Sequence, residues 1–191
     1  MDIALKLEGF QLETERLTLK VLDEGAAGAV AAYWLRNREF HRQWNPLRPE
    51  EFFTPQHQAE LLRNEWELIR ADRLFKLWFF EKAEPDRVIG AIALNNIVRG
   101  AFQSCHVGYH LDRALVNRGY MTEALRAVIG LAFGELGLHR LEANIMPRNG
   151  ASLRVAEKTG FQPEGLARQY LRINGVWEDH LHMVLLNEGM A

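Results

Sequence analysis

Two stretches of the 191-residue sequence place polar side chains in patterns that could do chemistry. The first is Val116-Asn117-Arg118-Gly119-Tyr120-Met121-Thr122-Glu123-Ala124, which reads as a strand end running through a short loop into a helix. A helix N-terminus presents unpaired N–H groups and partial positive charge, so such a loop can hold a phosphate or pyrophosphate. Gly119 lets the backbone approach the anion closely, and Arg118 can neutralise it. The same residues also suit a plain strand-to-helix turn, with Thr122 and Glu123 completing the helix start. The Gly-x-Gly-x-x-Gly and Gly-Lys-Ser/Thr patterns are absent, which argues against a dinucleotide fold or a P-loop. The second stretch runs from Ala143 to Phe161 and puts Asn149 and Ser152 between a strand end and a helix start. Asn149 has N-cap spacing and Ser152 a first-turn position, which is also the ordinary structural use of both.

Other residues offer less. His106 and His110 share one face of a strand, as do His180 and His182, but no acidic or cysteine partner has metal-ligand spacing to them. A metal site is not expected, and either His106 or His110 stays open as a base in a cleft. Phe40, Trp44, Phe52 and Phe53, with Arg48 and nearby prolines, read as helix packing or as the wall of an acceptor site.

The elements that must position these residues follow from periodicity. Arg16–Leu22 alternates as a half-buried strand, and residues 26–41 form a helix with Ala27, Val30, Ala31, Trp34 and Leu35 on one face. Thr54-Pro55 starts a second helix reaching about residue 71. Residues 74–81 and 88–97 read as strands across a Glu84-Pro85-Asp86 turn, and 102–111 as a third. A helix over 119–136, a strand over 139–146 and a short helix over 151–159 follow. Residues 168–173 and 176–186 flank Asn174-Gly175, a two-residue hairpin signal. The order β α α β β β α β α β β predicts a mixed, mostly antiparallel sheet with helices on its faces. Within it, 102–111 and 139–146 are parallel neighbours that diverge, joined by the crossover helix.

Composition narrows the function classes. The chain is 48% hydrophobic and 25% charged, with ten Phe, five Trp and four Tyr, so disorder is excluded as the dominant state. The net charge of −2 gives no bulk attraction to nucleic acid, although 18 of the 23 basic residues are Arg. A lone cysteine, Cys105, excludes an internal disulfide framework. No apolar run reaches transmembrane length and the N-terminal residues lack a signal-peptide pattern, so a cytoplasmic protein is expected. With no linker or repeat, residues 1–191 read as one domain.

Four segments resemble the GNAT N-acetyltransferases of the RimJ/RimL type: Thr14–Leu19, Cys105–Tyr109, Arg118–Ala124 and Asn149–Phe161. Further segments are similar to the RimJ branch, among them Asn37–Phe40 with Trp44 and Pro46, Asn96–Phe102, Glu164–Ala167 and Asn174–His180. The resemblance implies the acyl-CoA N-acyltransferase fold, an α/β architecture with splayed central parallel strands, and acetyl-CoA as co-substrate. It implies a cofactor site on Tyr109, His110 and Leu111 for the pantetheine arm. Asn117, Arg118, Gly119, Tyr120, Met121 and Thr122 would hold the pyrophosphate, with Asn149 beside it. Acceptor contacts fall on Trp44, Asn96 and Arg99. The catalytic set is Ser152, serving the leaving thiolate, with Asn149 and with Tyr170 as a second candidate acid.

The sequence departs from the family pattern in places. Val116 and Met121 replace a polar and a small residue of the loop, Asn117 stands where relatives often carry glycine, and Gln169 stands where a glutamate base would precede Tyr170. The implied acceptor is the N-terminal amine of a protein such as a ribosomal protein. A small amine (polyamine, amino acid or aminoglycoside) and an acetyl-CoA sensor without turnover remain alternatives, and the oligomeric state is open.

Overall fold

The computed structural model describes residues 9–190. Among the described residues eight strands form one mixed sheet: β1 (Gln11–Glu13), β2 (Leu17–Lys20), β3 (Leu74–Glu81), β4 (Glu84–Val98), β5 (Ser104–Leu111), β6 (Arg140–Ile145), β7 (Gln162–Ile173) and β8 (Val176–Leu186). Their spatial order is β1-β2-β3-β4-β5-β6-β8-β7. Only β5 and β6 pair in parallel; every other neighbouring pair is antiparallel. That pairing ends early, at Ser104↔Arg140, Cys105↔Leu141 and His106↔Glu142. Beyond it β5 stays with β4 as far as Leu111, and β6 stays with β8 through Ile145, so the sheet forks.

Among the described residues five α-helices cover the sheet: α1 (Ala27–Arg36), α2 (Arg38–Arg42), α3 (Pro55–Arg70), α4 (Tyr120–Gly134) and α5 (Gly150–Lys158). Met121, Ala124, Leu125, Val128 and Leu131 of α4 pack with Cys105, Val107 and Leu111 of β5 and with Leu141, Ala143 and Ile145 of β6. On the opposite face Val30, Tyr33 and Trp34 of α1 pack with Leu62 of α3 and with Trp78 and Ala91 of the sheet. The alternation along β5 thus sends its odd-numbered side chains to the α4 side and His106 and His110 to the α1 side. Cys105 is buried in the first core, and burial pushes its thiol up to about 12, so it is an inert core residue.

Several boundaries differ from the sequence reading. The short strand β1 was not expected; it adds an edge through three residue pairs. The β3–β4 turn falls at Lys82 and Ala83 instead of Glu84–Asp86, where Lys82 N–H is bonded by Arg16 C=O. Strand β7 starts at Gln162, with register breaks near Gly165 and after Ala167 that hide its alternation. Leu35 is 59% exposed and Tyr33 takes the buried position beside Trp34.

The predicted helix over 26–41 divides at Asn37, and the division has a cause. Asn37 is buried, donates from Nδ2 to Tyr33 C=O at 3.0 Å, and accepts the Arg113 N–H at 2.9 Å. Next to it Arg36 Nε meets Asp112 Oδ2 at 2.7 Å and donates from Nη2 to Val88 C=O. Together they tie the α1–α2 elbow to the end of β5. Replacing Asn37 by Leu leaves the Arg113 N–H without its partner and removes one of two donors to Tyr33 C=O, and is expected to cost roughly 1–3 kcal/mol of stability, measured by urea unfolding. A change within a few tenths would remove this elbow from the account.

Candidate active site

The fork opens into a cleft of about 680 Å³ lined from both faces of the sheet. Backbone groups on its β5 wall lack a strand partner. Asp112 N–H bonds Ile89 C=O on β4, so by alternation Tyr109 and Leu111 turn their N–H and C=O groups toward the gap, while Val107, whose N–H still belongs to the last bridge with Glu142, adds its C=O. Such a row accepts an extended, amide-bearing ligand as a strand edge would.

One end of the cleft meets the loop before α4. Asn117 and Gly119 both adopt left-handed conformations, with φ of +62° and +82°. Asparagine is the non-glycine residue best suited to that region, which accounts for Asn117 where relatives often carry glycine. Gly119 is the N-cap of α4 and no side chain caps the helix, so its first-turn N–H groups remain free for an anion. This differs from α3 and α5, whose first turns are capped by Thr54 and Asn149. The loop is held from behind by the N-terminal segment. Glu123 accepts from Thr14 Oγ1 at 2.6 Å, from Arg16 N–H at 2.8 Å and from Arg16 Nε at 2.7 Å. Burial raises the Glu123 carboxyl, but these bonds outweigh it and hold it below the ordinary value. Arg16 also donates to Arg118 C=O and stacks 4.2 Å above the Tyr120 ring.

On the α4 side of the gap, Ser152 Oγ donates to Tyr109 Oη at 2.9 Å, and Tyr109 Oη donates to Ser152 C=O at 3.0 Å. Asn149 Oδ1 accepts the Ser152 N–H at 3.2 Å, capping α5 and fixing the serine at the cleft. Burial pushes the Tyr109 phenol up to about 12 against the lowering effect of the Ser152 bond, so it stays protonated. On the α1 side, Tyr33 Oη lies 2.8 Å from His41 Nε2 and 2.7 Å from His110 Nδ1. Burial depresses both histidines, His41 to about 4 and His110 well below its usual value, with Lys76, His41 and Arg48 adding to the effect on His110. Both are neutral near pH 7.

The cleft gathers Tyr109, His110, Leu111, Asn117, Gly119, Tyr120, Met121, Thr122, Asn149, Ser152 and Trp44 from the residues singled out in the sequence. Four others lie elsewhere. Arg118 is exposed on the loop's outer side. Tyr170 is on β7, where its hydroxyl accepts from Asn144 Nδ2 at 3.4 Å and its ring packs on His180. It is not among the residues lining the cleft, although its partners Asn144 and His180 and its neighbour Leu171 are. Arg99 is not at the acceptor wall: Asp72 grips its guanidinium at 2.5 and 2.6 Å, and it donates to Leu136 C=O, a clamp between loops. Asn96 is likewise outside, exposed with φ of +51° and 3.3 Å from His106 Nδ1.

Tyr33, His41, Thr14, Arg16 and Glu123 were not identified as site residues by sequence. The Tyr33–His110 and Thr14–Glu123 contacts span 77 and 109 residues, so no local spacing announces them.

A known domain family, the Acetyltransferase (GNAT) domain, matches residues 16–162. The chain belongs to that family, and it is an acetyltransferase. It is 44% identical over 151 residues to a Bacillus subtilis protein named probable N-acetyltransferase YjcK, covering 79% of this chain and 83% of that one. It is 33% identical to the Escherichia coli [ribosomal protein uS5]-alanine N-acetyltransferase, covering 90% and 88%. The crystal structure of ribosomal-protein-S5-alanine acetyltransferase from Vibrio fischeri superposes with a TM-score of 0.89 at 35% identity, covering 94% and 97%. Mycobacterium smegmatis RimJ, solved in complex with CoA-disulfide, shares the fold with a TM-score of 0.87 at 24% identity, covering 95% and 88%.

Two outcomes are expected from this geometry. Gly119→Val forces a branched side chain into a left-handed backbone and should destabilise the protein by roughly 1–2 kcal/mol. Its cause is the backbone, because a Cβ at Gly119 meets only Arg16 Nη2, at 3.4 Å. The second concerns acid. A histidine whose folded pKa lies below its unfolded value adds stability above the unfolded value, near 6.5, that is lost as pH falls toward the folded one. His41 and His110 should each remove about 1.4 kcal/mol per pH unit once well below pH 6.5. Urea titrations at pH 7 and pH 5 check this, and equal stabilities would contradict it.

Proposed function

We propose that this protein transfers the acetyl group of acetyl-CoA to the N-terminal α-amine of a protein, a ribosomal protein being the substrate class that its relatives' names support. The observation that carries the reading is the fork itself. An unpaired strand edge runs from the uncapped N-terminus of α4 toward Ser152, a path for a pyrophosphate, an amide-bearing arm and a thioester in that order.

Bound there, acetyl-CoA supplies an activated acyl carbonyl. Free first-turn N–H groups of α4 receive its phosphates, and Arg154 and Lys158 border the same cleft. N–H groups of β5 that face the gap can stabilise the oxyanion formed when an amine attacks. Ser152 Oγ–H, turning from Tyr109, would donate a hydrogen bond to the departing sulfur and steady its developing negative charge, with Asn149 setting its position. A thiol near pKa 8.5 is a fair leaving group, so this assistance is modest.

The lining also bears on the acceptor. Apart from Arg154 and Lys158 at the phosphate end, Arg48, Arg172 and Lys76, the last paired with Glu65, border the cleft, and no carboxylate lines it among the described residues. Such a wall repels polycations, which disfavours polyamines and aminoglycosides, and it lowers the pKa of a bound amine. An α-amine with an ordinary pKa of about 7.7–8.0 already has a useful neutral fraction near neutral pH, and such a wall would raise it.

The test is acetyl-CoA with a panel of peptides bearing ribosomal-protein N-termini, polyamines and amino acids, read by thiol release and mass spectrometry. Acetylation of a peptide α-amine is expected. Release with small amines alone would replace the protein acceptor, and tight acetyl-CoA binding without release would mark a sensor. Ser152→Ala should lower kcat roughly 10- to 1,000-fold. Its acetyl-CoA affinity should shift by no more than about 1 kcal/mol, one hydroxyl's net hydrogen bonding.

A further inference from the structure

We propose that His110 is the base that removes the proton from the attacking amine, and that Tyr33 and His41 carry that proton away from the cleft. The assignment rests on the acetyl-transfer reading above and adds the group that reading lacks.

Placement is the first argument. His110 is on the fork strand β5, points to the α1 side of the sheet, and borders the cleft with Ala91, Ala93, Asn95 and Gly108. Nδ1 is engaged by Tyr33, while Nε2 has no hydrogen-bond partner among the described residues and is not sealed from the cleft. The position is tightly fixed. A Cβ at Gly90 would come within 2.5 Å of His110 C=O, so the glycine is what lets β4 pack against this residue. Tyr33, Trp34, Trp78 and His41 enclose the ring with centroids 4.5–5.7 Å away.

The second argument is the hydrogen-bond chain. Tyr33 has one hydroxyl proton and sits between two imidazole nitrogens, so it donates to one and accepts from the other. In the tautomer competent for catalysis, His110 Nδ1–H donates to Tyr33 Oη, and Tyr33 Oη–H donates to His41 Nε2. His110 Nε2 then offers its lone pair to the cleft. When the amine nitrogen bonds to the thioester carbon it becomes cationic and strongly acidic, so a weak base suffices. The N–H proton passes to His110 Nε2, the Nδ1 proton passes to Tyr33, and the Tyr33 proton passes to His41 Nε2. One proton leaves the substrate and one arrives on His41, which returns it to solvent.

Charge explains why two more residues are needed. Lys76 on β3 and Arg48 in the loop after α2 both disfavour a cation on His110, as does His41. On His41 burial dominates and holds the imidazole down to about 4, with Asp112, itself paired to Arg36 and Arg87, acting in the opposite sense, so a proton received there is only weakly held. Arg36, paired with that Asp112, does not reach either imidazole by hydrogen bond. The buried Tyr33 phenol is raised well above its usual range and so remains a neutral hydroxyl that can pass a proton on.

His110→Asn keeps a polar atom for Tyr33 but loses Nε2. With the peptide acceptor, its kcat should fall roughly 100- to 10,000-fold. The acidic limb of the wild-type kcat profile, where His110 becomes protonated, should vanish in this variant. His110→Ala should recover rate with added imidazole, a response that a packing role would not give. Tyr33→Phe leaves the base but cuts the chain, so a smaller loss of about tenfold is expected, one hydrogen bond's worth. A folded His110→Asn protein with wild-type kcat overturns the assignment, as does a loss in His110→Ala that imidazole leaves untouched. Wild-type protein that releases no thiol with any amine would instead contradict acetyl transfer itself, and the assignment would fall with it.

Discussion

Parallel pairing between β5 and β6 stops after His106↔Glu142, and the rest of the site depends on that interruption. Leaving a central strand unpaired exposes backbone groups that a sheet would normally satisfy, and they persist only where water or a ligand can reach them. The fork is held at its base and kept open above. At the base Glu142 is buried, accepts from Arg140 Nε at 2.6 Å and Ser104 Oγ at 3.3 Å, and lies 3.3 Å from His106 and His182. Burial opposes its ionisation, yet Arg140 and the flanking histidines hold it below the usual carboxylate range. Above, Tyr109 spans the gap to Ser152 while each strand keeps its outer partner.

The fork also divides labour between the two faces of the sheet. The α4 face supplies the uncapped helix end, Asn149 and Ser152, groups suited to anions and to a leaving sulfur. The α1 face supplies aromatic walls, cations and the His41–Tyr33–His110 chain, groups suited to an amine. Each face is braced by one long-range clamp: Thr14 and Arg16 on Glu123 behind the first, Arg36 and Asn37 on the Asp112–Arg113 turn beside the second. Both clamps are ion pairs reinforced by backbone hydrogen bonds, which fixes geometry better than either alone.

Much of this was legible in the sequence because its causes are local. Gly119 and Asn149 announced helix starts, Asn174-Gly175 announced the β7–β8 hairpin with positive φ at both positions, and the crossover through α4 required β5 and β6 to be parallel. The length of pairing at the fork was not legible locally, since strand periodicity is the same whether or not a neighbour is bonded. Resemblance to a family supplied that expectation. Arg99 and Asn96 were misplaced because a short segment's likeness gives no direction for its side chains, and Asp72 captures Arg99 from a distant turn. The Tyr33 chain escaped notice for the same reason. Tyr33 is not on the apolar face that periodicity marks over residues 26–41, and its partner histidines sit on α2 and β5.

The central claim is that the gap between β5 and β6 is the acetyl-CoA slot. Amide hydrogen exchange on the whole protein, with and without acetyl-CoA, tests it residue by residue. The account predicts new protection at the N–H groups of Tyr109 and Leu111 and at residues 120–122, with little change at His106 and Gly108, whose N–H groups already face β4, and at Val107, whose N–H already pairs with β6. Binding that protects none of the gap-facing amides, or that protects only the α1 face, would contradict it.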